Sequence, residues 1–261
     1  ICNIVVASAR SVGISLYNEH GILAATLVAG ATGLATAVVA MLLDTSKLKD
    51  DGAPQKGPAP QKKKGLFAGL SVQMLPFALV AAMPIVLFNA ESNFFQVYAE
   101  SSGFEYLSAT TFGGTIYGIL SIAVGFLCDI INPALLIVIA LIGQAAAPLI
   151  WANATSSAML GVGIVIYYST RYFGTAFRVL GMKAVSRAEQ GAMSATLLLC
   201  NDLFSVCCTS VLGVAITNVG YKSTFDGLFV WQILAVVLFV VLDKTFMKRM
   251  REARSAQSAA A

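Results

Sequence analysis

The sequence predicts an all-α polytopic membrane protein, a helical bundle with about seven complete transmembrane helices and one partial helix. Hydrophobic residues make up 57% of its 261 residues and charged residues only 11%, whereas an ordinary soluble domain has about 25% charged residues. Apolar stretches of about 20 residues, the length that crosses a bilayer, recur along the chain. One Lys/Pro-rich segment, residues 44–65, interrupts them. A soluble fold of this length has too little interior for so much apolar surface, so we expect the lipid bilayer to cover it.

Each predicted span is an apolar run long enough to cross the hydrocarbon core, with Gly and Pro allowed inside it. The sequence enters the first run at residue 1 without an initiator Met, so we expect further residues to precede it. This partial span covers residues 1–17, and complete spans are predicted near residues 21–43, 66–90, 106–128, 133–152, 158–179, 192–217 and 227–246.

The Lys/Pro-rich segment divides the chain into unequal parts. Pro54, Pro58 and Pro60 lie there among glycines and lysines, and the segment has too little apolar content to fold alone. We therefore expect it to act as a tether between two bundles. The predicted organisation is the end of an amino-terminal bundle at 1–43, a linker at 44–65, a six-helix carboxyl-terminal bundle at 66–247 and a tail at 248–261.

The orientation in the membrane follows from the basic residues, which accumulate on the cytoplasmic side in short loops. With the linker placed in the cytoplasm, alternation of the spans puts fourteen of the seventeen Lys and Arg residues on that side. The loop after the 66–90 span, on the opposite side, carries Glu91, Glu100 and Glu105 and no basic residue. We therefore expect a cytoplasmic linker and a cytoplasmic carboxyl terminus, in a membrane that the sequence does not name.

A short motif follows the second helix of the predicted six-helix bundle. Residues 125–129 read Gly-Phe-Leu-Cys-Asp, a Gly-x-x-x-Asp pattern, and no basic residue follows at 130–133. With the linker and the six spans, this motif resembles the carboxyl-terminal bundle of a major facilitator superfamily transporter, together with the end of its amino-terminal bundle. The resemblance implies that Gly125 and Asp129 belong to a cytoplasmic gating loop. The family's basic residues are missing from this copy of the motif.

A weaker resemblance concerns one group within that superfamily. Residues 93–98 read Asn-Phe-Phe-Gln-Val-Tyr, Gly103-Phe104 and Gly113-Gly114 follow, and residues 187–192 read Arg-Ala-Glu-Gln-Gly-Ala. These short stretches are similar to the folate and biopterin transporter group. The proline that this group usually has before the acidic residue is missing.

Arg171 is the first candidate site residue, because an ionisable group at bilayer depth is costly unless it is paired or hydrated. Tyr167 and Tyr168 precede it by four and three residues and therefore share its helix face, whereas Tyr172 does not. A guanidinium beside phenols suits an anionic or aromatic solute, through paired hydrogen bonds or stacking. The alternative is that Arg171 extends along the helix to water at the membrane surface.

Asp202 is the second candidate, near the middle of the 192–217 span with Ser205 and Thr209 on its polar stripe. Two roles are open for it: a proton-coupling site, because burial disfavours the charged carboxylate, or an ion-pair partner of Arg171. Glu91 has two readings as well, a contact with substrate or a place in a solvated outer loop. The predicted substrate-binding residues are Arg171, Tyr167, Tyr168, Asn201, Glu91 and Asn93.

The first functional hypothesis is a secondary active transporter, in which two bundles rock around a midplane site and an ion gradient, suspected to be of protons, drives a small solute. The second is a transporter-like scaffold that serves as a structural subunit or assembly factor among other membrane subunits. No nucleotide-binding loop, nucleophile elbow or metal-binding pair is present in the sequence. We therefore predict no enzyme activity, no cofactor, no metal and no nucleic-acid partner.

Overall fold

The computed structural model describes residues 70–247, residue 250 and nine positions between residues 20 and 31. The predicted span at 1–17, the linker at 44–65 and the tail at 248–261 lie outside the described residues, apart from Met250. The nine positions within 20–31 are helical. Across residues 70–247 every regular element is a helix, which confirms the predicted all-α class.

Eight α-helices make up the described bundle, with short 3-10 turns at Val72–Met74 and Arg187–Glu189 and a π turn at Asp243–Met247. The helices are α1 (Leu75–Ala82), α2 (Ile85–Asn93), α3 (Phe95–Ser101), α4 (Leu107–Ile130), α5 (Pro133–Ala152), α6 (Ser157–Thr170), α7 (Phe173–Ala184) and α8 (Gln190–Leu242).

The predicted 66–90 span is a bent pair of helices. The segments Val72–Ala82 and Ile85–Asn93 meet at 43° and together are long and apolar enough to cross a membrane once. Pro84 lies at the bend, where it has no N–H to continue the helical hydrogen bonds. The Trp231 indole Nε1 donates to the Met83 carbonyl oxygen at 2.9 Å, so a side chain of α8 adds a hydrogen bond to the carbonyl directly before Pro84.

Helices α4 and α5 match the predicted spans closely. They cover Leu107–Ile130 and Pro133–Ala152, against predictions of 106–128 and 133–152. Asn132 caps α5, since its Oδ1 accepts a hydrogen bond from the Ala134 amide at 3.0 Å, and Pro133 occupies the first turn.

The predicted 158–179 span is broken, which the sequence analysis did not foresee. Helix α6 ends at Thr170 and α7 begins at Phe173, and their 14 and 12 residues are each too few to cross a bilayer. The Thr170 Oγ1 donates back to the Ile166 carbonyl at 2.8 Å. Threonines that bond back to their own main chain often bend a helix, and this one lies directly before the break.

The predicted spans at 192–217 and 227–246 form one helical element with a single non-helical residue instead of a loop at 218–226. Gly220 has φ 79° and ψ 172°, a conformation that is nearly confined to glycine. Met193 and Phe239 belong to the same buried cluster although 46 residues separate them. A straight helix would hold them about 70 Å apart. The chain therefore reverses at Gly220 into two legs, residues 190–219 and 221–242.

The bundle has two buried cores and an apolar outer surface. One core includes Phe77, Phe177 and Phe239, and the other includes Trp151 and Phe225. Many large apolar side chains on α4 and α8 are exposed, such as Ile130 at 84% and Val206 at 74%. Among the described residues α4, α5 and the reversing helix α8 are each long and apolar enough to cross a membrane, and the bent α1–α2 pair passes the same test when it is counted as one span. This surface fits a lipid environment.

Candidate functional site

Arg171 lies in the break between α6 and α7. It is the C-cap residue of α6, and its own amide donates to the Tyr168 carbonyl at 3.3 Å. The side chain is half-buried. The break therefore places a guanidinium at the point where the helical hydrogen bonding of this span is interrupted, although Arg171 itself keeps right-handed helical backbone angles.

Four aromatic rings surround this guanidinium, and we call the five residues the arginine cage. The Arg171 Cζ lies 4.3 Å from the ring centroid of Phe88, 5.1 Å from Tyr117, 5.8 Å from Tyr168 and 5.9 Å from Tyr167. All four distances are within the range of cation–π attraction. In the described part of the chain no side-chain or main-chain acceptor forms a hydrogen bond or ion pair with the guanidinium.

Glu91 is the anionic neighbour of the arginine cage. It is 3% exposed, so the reading of Glu91 as part of a solvated outer loop is wrong. The Tyr168 hydroxyl donates to Glu91 Oε1 at 2.9 Å, and the Ser92 hydroxyl donates to Oε2 at 3.3 Å. The Glu91 carboxylate also attracts the Arg171 guanidinium electrostatically. Tyr168 therefore touches both charged groups, one through its hydroxyl and one through its ring.

A glycine of α4 makes room for the Tyr168 ring. A Cβ atom at Gly113 would lie 2.9 Å from Tyr168 Cδ2 and 3.1 Å from its Cβ and Cγ. These distances are shorter than van der Waals contact, so a side chain at this position would displace the ring. Gly113 is therefore part of the site through a ring contact.

We expect Gly113→Ala to lower the free energy of unfolding by about 1–3 kcal/mol, the usual cost of overpacking. The displaced Tyr168 ring would also lose its alignment with Glu91. Thermal melting of the purified chain measures the first effect. Gly227→Ala is the matched control, because a Cβ at Gly227 has nothing within 4 Å. Equal melting temperatures for the two variants would contradict this account.

Asn201 and Asp202 lie away from the arginine cage, on the first leg of α8. Asp202 is exposed and Asn201 is half-buried, with its Oδ1 buried and without a hydrogen-bond partner among the described residues. No ion pair joins Asp202 to Arg171 in the part of the chain that the structure describes. The suggested Asp202–Arg171 pair is therefore not formed here, and proton coupling by Asp202 stays a prediction.

Hydrogen bonds connect the polar stripe of α8 to α2. The Ser205 hydroxyl donates to Asn89 Oδ1 at 3.0 Å, and Asn89 is buried. Asn93, a predicted binding residue, is exposed at the end of α2, where its Nδ2 donates to the Asn89 carbonyl at 3.0 Å. The structure thus brings together Glu91, Tyr167, Tyr168 and Arg171, and it leaves Asn93, Asn201 and Asp202 outside that group.

The Gly-x-x-x-Asp motif lies at the carboxyl end of α4. Lys183, from the last turn of α7, forms an ion pair with Asp129 at 3.2 Å and donates to the Cys128 carbonyl at 2.6 Å. Lys183 thereby caps α4, because the last carbonyls of a helix have no partner within it. A Cβ at Gly125 would meet nothing within 4 Å. A basic residue from another helix thus supplies a positive charge beside a motif that has none at 130–133.

The Asp129–Lys183 pair is expected to contribute little to stability, since its side chains are 74% and 45% exposed. A double-mutant cycle with Asp129→Asn and Lys183→Met should give a coupling free energy below about 1 kcal/mol. The coupling should shrink further in about 1 M salt, where exposed charges are screened. A coupling of about 3 kcal/mol that is independent of salt would contradict the exposed geometry.

Three site residues escaped the sequence analysis. Phe88 precedes Glu91 by three residues and so shares its helix face, which is a signal that could have identified it. Tyr117 lies in a glycine-rich helix, and its position beside Arg171 depends on how α4 and α6 pack. Lys183 is one of the fourteen basic residues that the sequence places on the cytoplasmic side, and nothing in the sequence pairs it with Asp129.

An open groove of about 650 Å³ lies between the first turns of α4 and α6, and none of the predicted site residues line it. It is mostly apolar, with Glu105, Ser108 and Ser157 at its edge. Within the described ranges no three His, Cys, Asp or Glu side chains come together in a way that could hold a metal ion.

Several helices of the bundle can cross a membrane, an arginine lies among aromatic rings at a helix break, and an acidic motif ends a spanning helix. These features are typical of helical membrane transporters. A model of the Major Facilitator Superfamily matches residues 3–206, which is more than half of the chain. The chain belongs to the major facilitator superfamily and is a multi-pass integral membrane transporter, with a small solute and membrane lipid as its partners. No curated protein and no solved structure matches the chain significantly. The resemblance to the folate and biopterin group stays a prediction.

Proposed function

We propose that this protein is a secondary active transporter that moves a small anionic solute, with an aromatic or other flat group, by alternating access and with proton coupling. The observation that carries the proposal is the arginine cage. Its guanidinium is held by ring faces and forms no hydrogen bond or ion pair with another described residue. Arginine presents five N–H donors in a planar fork that matches a carboxylate or phosphate.

The cage favours an anion over a cation or a neutral polyol. Cation–π contacts hold the guanidinium in place but do not use its N–H donors. An anionic group of a solute would supply the acceptors in paired, charge-assisted hydrogen bonds. The rings of Phe88, Tyr117 and Tyr167 would then lie beside the rest of the solute and favour an apolar or aromatic body.

Glu91 gives the site a means of coupling to protons. When ionised, its carboxylate attracts Arg171 and repels an incoming anion; when protonated, it does neither. Proton binding at Glu91 and anion binding at Arg171 would therefore favour each other. Asp202, the proton-coupling residue that the sequence predicts, is kept as the competing assignment.

The two helix breaks supply the movement that alternating access requires. Pro84 separates α1 from α2, so these two helices can tilt relative to each other. Arg171 separates α6 from α7 in the same way, and each helix then moves with the helices it packs against. The exposed Asp129–Lys183 pair joins the end of α4 to the end of α7. A pair of this low strength can form and break during each cycle, which is the gating role that we assign to Gly125 and Asp129.

Uptake into proteoliposomes tests the proposal. The purified chain is first screened by thermal shift against carboxylates, phosphates and sulfonates with and without aromatic rings, and against neutral and cationic analogues of the same size. Stabilising anions are then tested for uptake with an inward proton gradient, and with the gradient abolished by an ionophore. Accumulation of an anion only with the gradient supports the proposal. Binding confined to cations or neutral compounds would refute the anionic substrate, and gradient-independent accumulation would refute proton coupling.

A further inference from the structure

Two helices present matching rows of side chains to each other. On α5 the row is Ile137, Gln144 and Trp151, and on the second leg of α8 it is Phe225, Gln232 and Phe239. All six side chains are 0% exposed. Seven residues are almost two full turns of an α-helix, so each row lies on one stripe of its helix. Each stripe has an apolar residue at both ends and a glutamine in the middle.

The two rows face each other in antiparallel register. The rings of Trp151 and Phe225 have centroids 5.7 Å apart at one end. Ile137 and Phe239 share a buried cluster at the other end. Because both ends are matched, the middle residues, Gln144 and Gln232, lie at the same level of the bundle.

A third row, on α6 and α7, completes this layer. A Cβ at Gly163 would lie 2.7 Å from the Trp151 ring, and Phe177 lies 5.1 Å from Phe239 by ring centroids. Thr170 is halfway between Gly163 and Phe177 in sequence. The Gln144 Nε2 donates to the Thr170 Oγ1 at 2.9 Å, which shows that the middle residues of two rows do meet. A polar layer therefore lies between two apolar layers.

The polar atoms of this layer are incompletely hydrogen-bonded. The Gln144 Nε2 also donates to the Tyr167 carbonyl at 2.8 Å, and this bond caps the end of α6. The Gln144 Oε1 and both amide atoms of Gln232 are buried and have no hydrogen-bond partner in the described ranges. Pro148 lies inside α5, so the main-chain carbonyl of Gln144 lacks the N–H donor that a regular helix would provide. The layer thus offers one donor group, the Gln232 Nε2. It also offers three acceptor oxygens, which are Gln144 Oε1, Gln232 Oε1 and the main-chain carbonyl of Gln144.

We propose that Gln144 and Gln232 bind one ordered water molecule between α5 and α8. A water molecule accepts from the Gln232 Nε2 and donates to Gln144 oxygens, which matches the mixed donors and acceptors of the layer. Buried polar groups in apolar surroundings are costly unless bonded, and internal water with two to four polar partners is the common solution. A cation would be repelled by the Gln232 amide protons. This inference is independent of the solute and of proton coupling.

The site has a structural consequence for the arginine cage. Gln144 holds the Tyr167 carbonyl and Thr170, the residue directly before Arg171. The water fixes the other end of the same amide. The second leg of α8 therefore helps to position the break at Arg171.

Methionine substitutions test the proposal, because methionine is close to glutamine in length and cannot form these bonds. We expect Gln232→Met to lower the apparent melting temperature of the purified chain by about 5 °C, since it leaves Gln144 Oε1 unsatisfied. In a chain that already carries Gln144→Met, adding Gln232→Met should cause no further loss. Gln96→Met is the control, because Gln96 forms its hydrogen bond with Glu100 at the exposed end of α3, and its melting temperature should be unchanged.

Three results would overturn the proposal. If Gln232→Met raised the melting temperature, the Gln232 amide would be unsatisfied in the native protein, with no water bound. If sodium in place of potassium shifted the melting temperature of the parent chain but not of Gln232→Met, the occupant would be a cation. An electron density map that shows Gln144 Oε1 and Gln232 Nε2 in direct contact at about 3 Å, with no water peak, would replace the water with an amide pair.

Discussion

Replacing Arg171 with methionine is expected to weaken binding of the transported anion by about 100-fold, because two charge-assisted hydrogen bonds are lost. Arg171→Lys should weaken it by about tenfold, since lysine keeps the charge but lacks the planar fork. The ring contacts within the arginine cage stabilise either cation, so the lysine variant is expected to fold. Thermal-shift titration with the anion identified in the uptake assay gives the affinities directly.

Arg178→Met is the matched control for the Arg171 variants. Arg178 is an exposed arginine of α7, seven residues further along and outside the cage. Its replacement removes one positive charge without removing a hydrogen-bond donor from the site. Affinity should stay within about twofold of the parent chain, as expected for an exposed charge that is screened by salt. Unchanged anion affinity in Arg171→Met would refute the assignment of the site.

Replacing Glu91 with glutamine is expected to abolish the pH dependence of anion binding. In the parent chain, affinity should rise as the pH falls, because a protonated Glu91 no longer competes with the anion for Arg171. The rise can reach about tenfold per pH unit when one proton binds with each anion. Glutamine mimics the protonated side chain, so Glu91→Gln should bind the anion tightly at all pH values. It should exchange anions across the vesicle membrane but no longer accumulate them against a gradient.

Asp202→Asn decides between the two carboxylates. If Glu91 is the coupling residue, Asp202→Asn keeps the pH dependence and the proton-driven accumulation of the parent chain. If Asp202→Asn loses both while Glu91→Gln keeps them, the sequence-based assignment of Asp202 is correct. Membrane abundance measured for both variants separates lost transport from lost protein.

The local structure of the spans was predictable where one helix crosses the membrane without interruption. The α4 and α5 bounds follow from apolar length and from the Asn132-Pro133 start signal. Pro84 removes a helical hydrogen bond, so the bend in the first span was also predictable. The break after Thr170 was not predictable, because residues 158–179 contain no proline and a threonine bends a helix only if it bonds back to its own main chain. The spans predicted at 192–217 and 227–246 leave a loop between them, and no sequence signal indicates that the chain reverses at Gly220 alone.

The site was predictable in part, and for one physical reason. Residues three or four apart on one helix share a face whatever the tertiary packing, so Tyr167, Tyr168 and Arg171 could be grouped from spacing alone. Glu91, Tyr117 and Lys183 come from other helices. Their distances to Arg171 depend on the angles at which the helices cross and on glycines such as Gly113 that allow close contact. No short segment of the sequence determines these angles.

The sequence alone thus determined that lipid surrounds this protein, that it is all-α and which helix face carries Arg171, because composition and helical periodicity are properties of the chain itself. The superfamily was indicated by the resemblance of the linker, the six spans and the Gly-x-x-x-Asp motif. Only the tertiary structure decided that Glu91 lies beside the arginine cage and that Lys183 pairs with Asp129 of the Gly-x-x-x-Asp motif. It also decided that Gln144 and Gln232, 88 positions apart in the sequence, are both buried with amide atoms that have no partner in the described part of the chain. Each of these contacts joins residues from separate helices, and the energy of bringing them together resides in packing over the whole bundle.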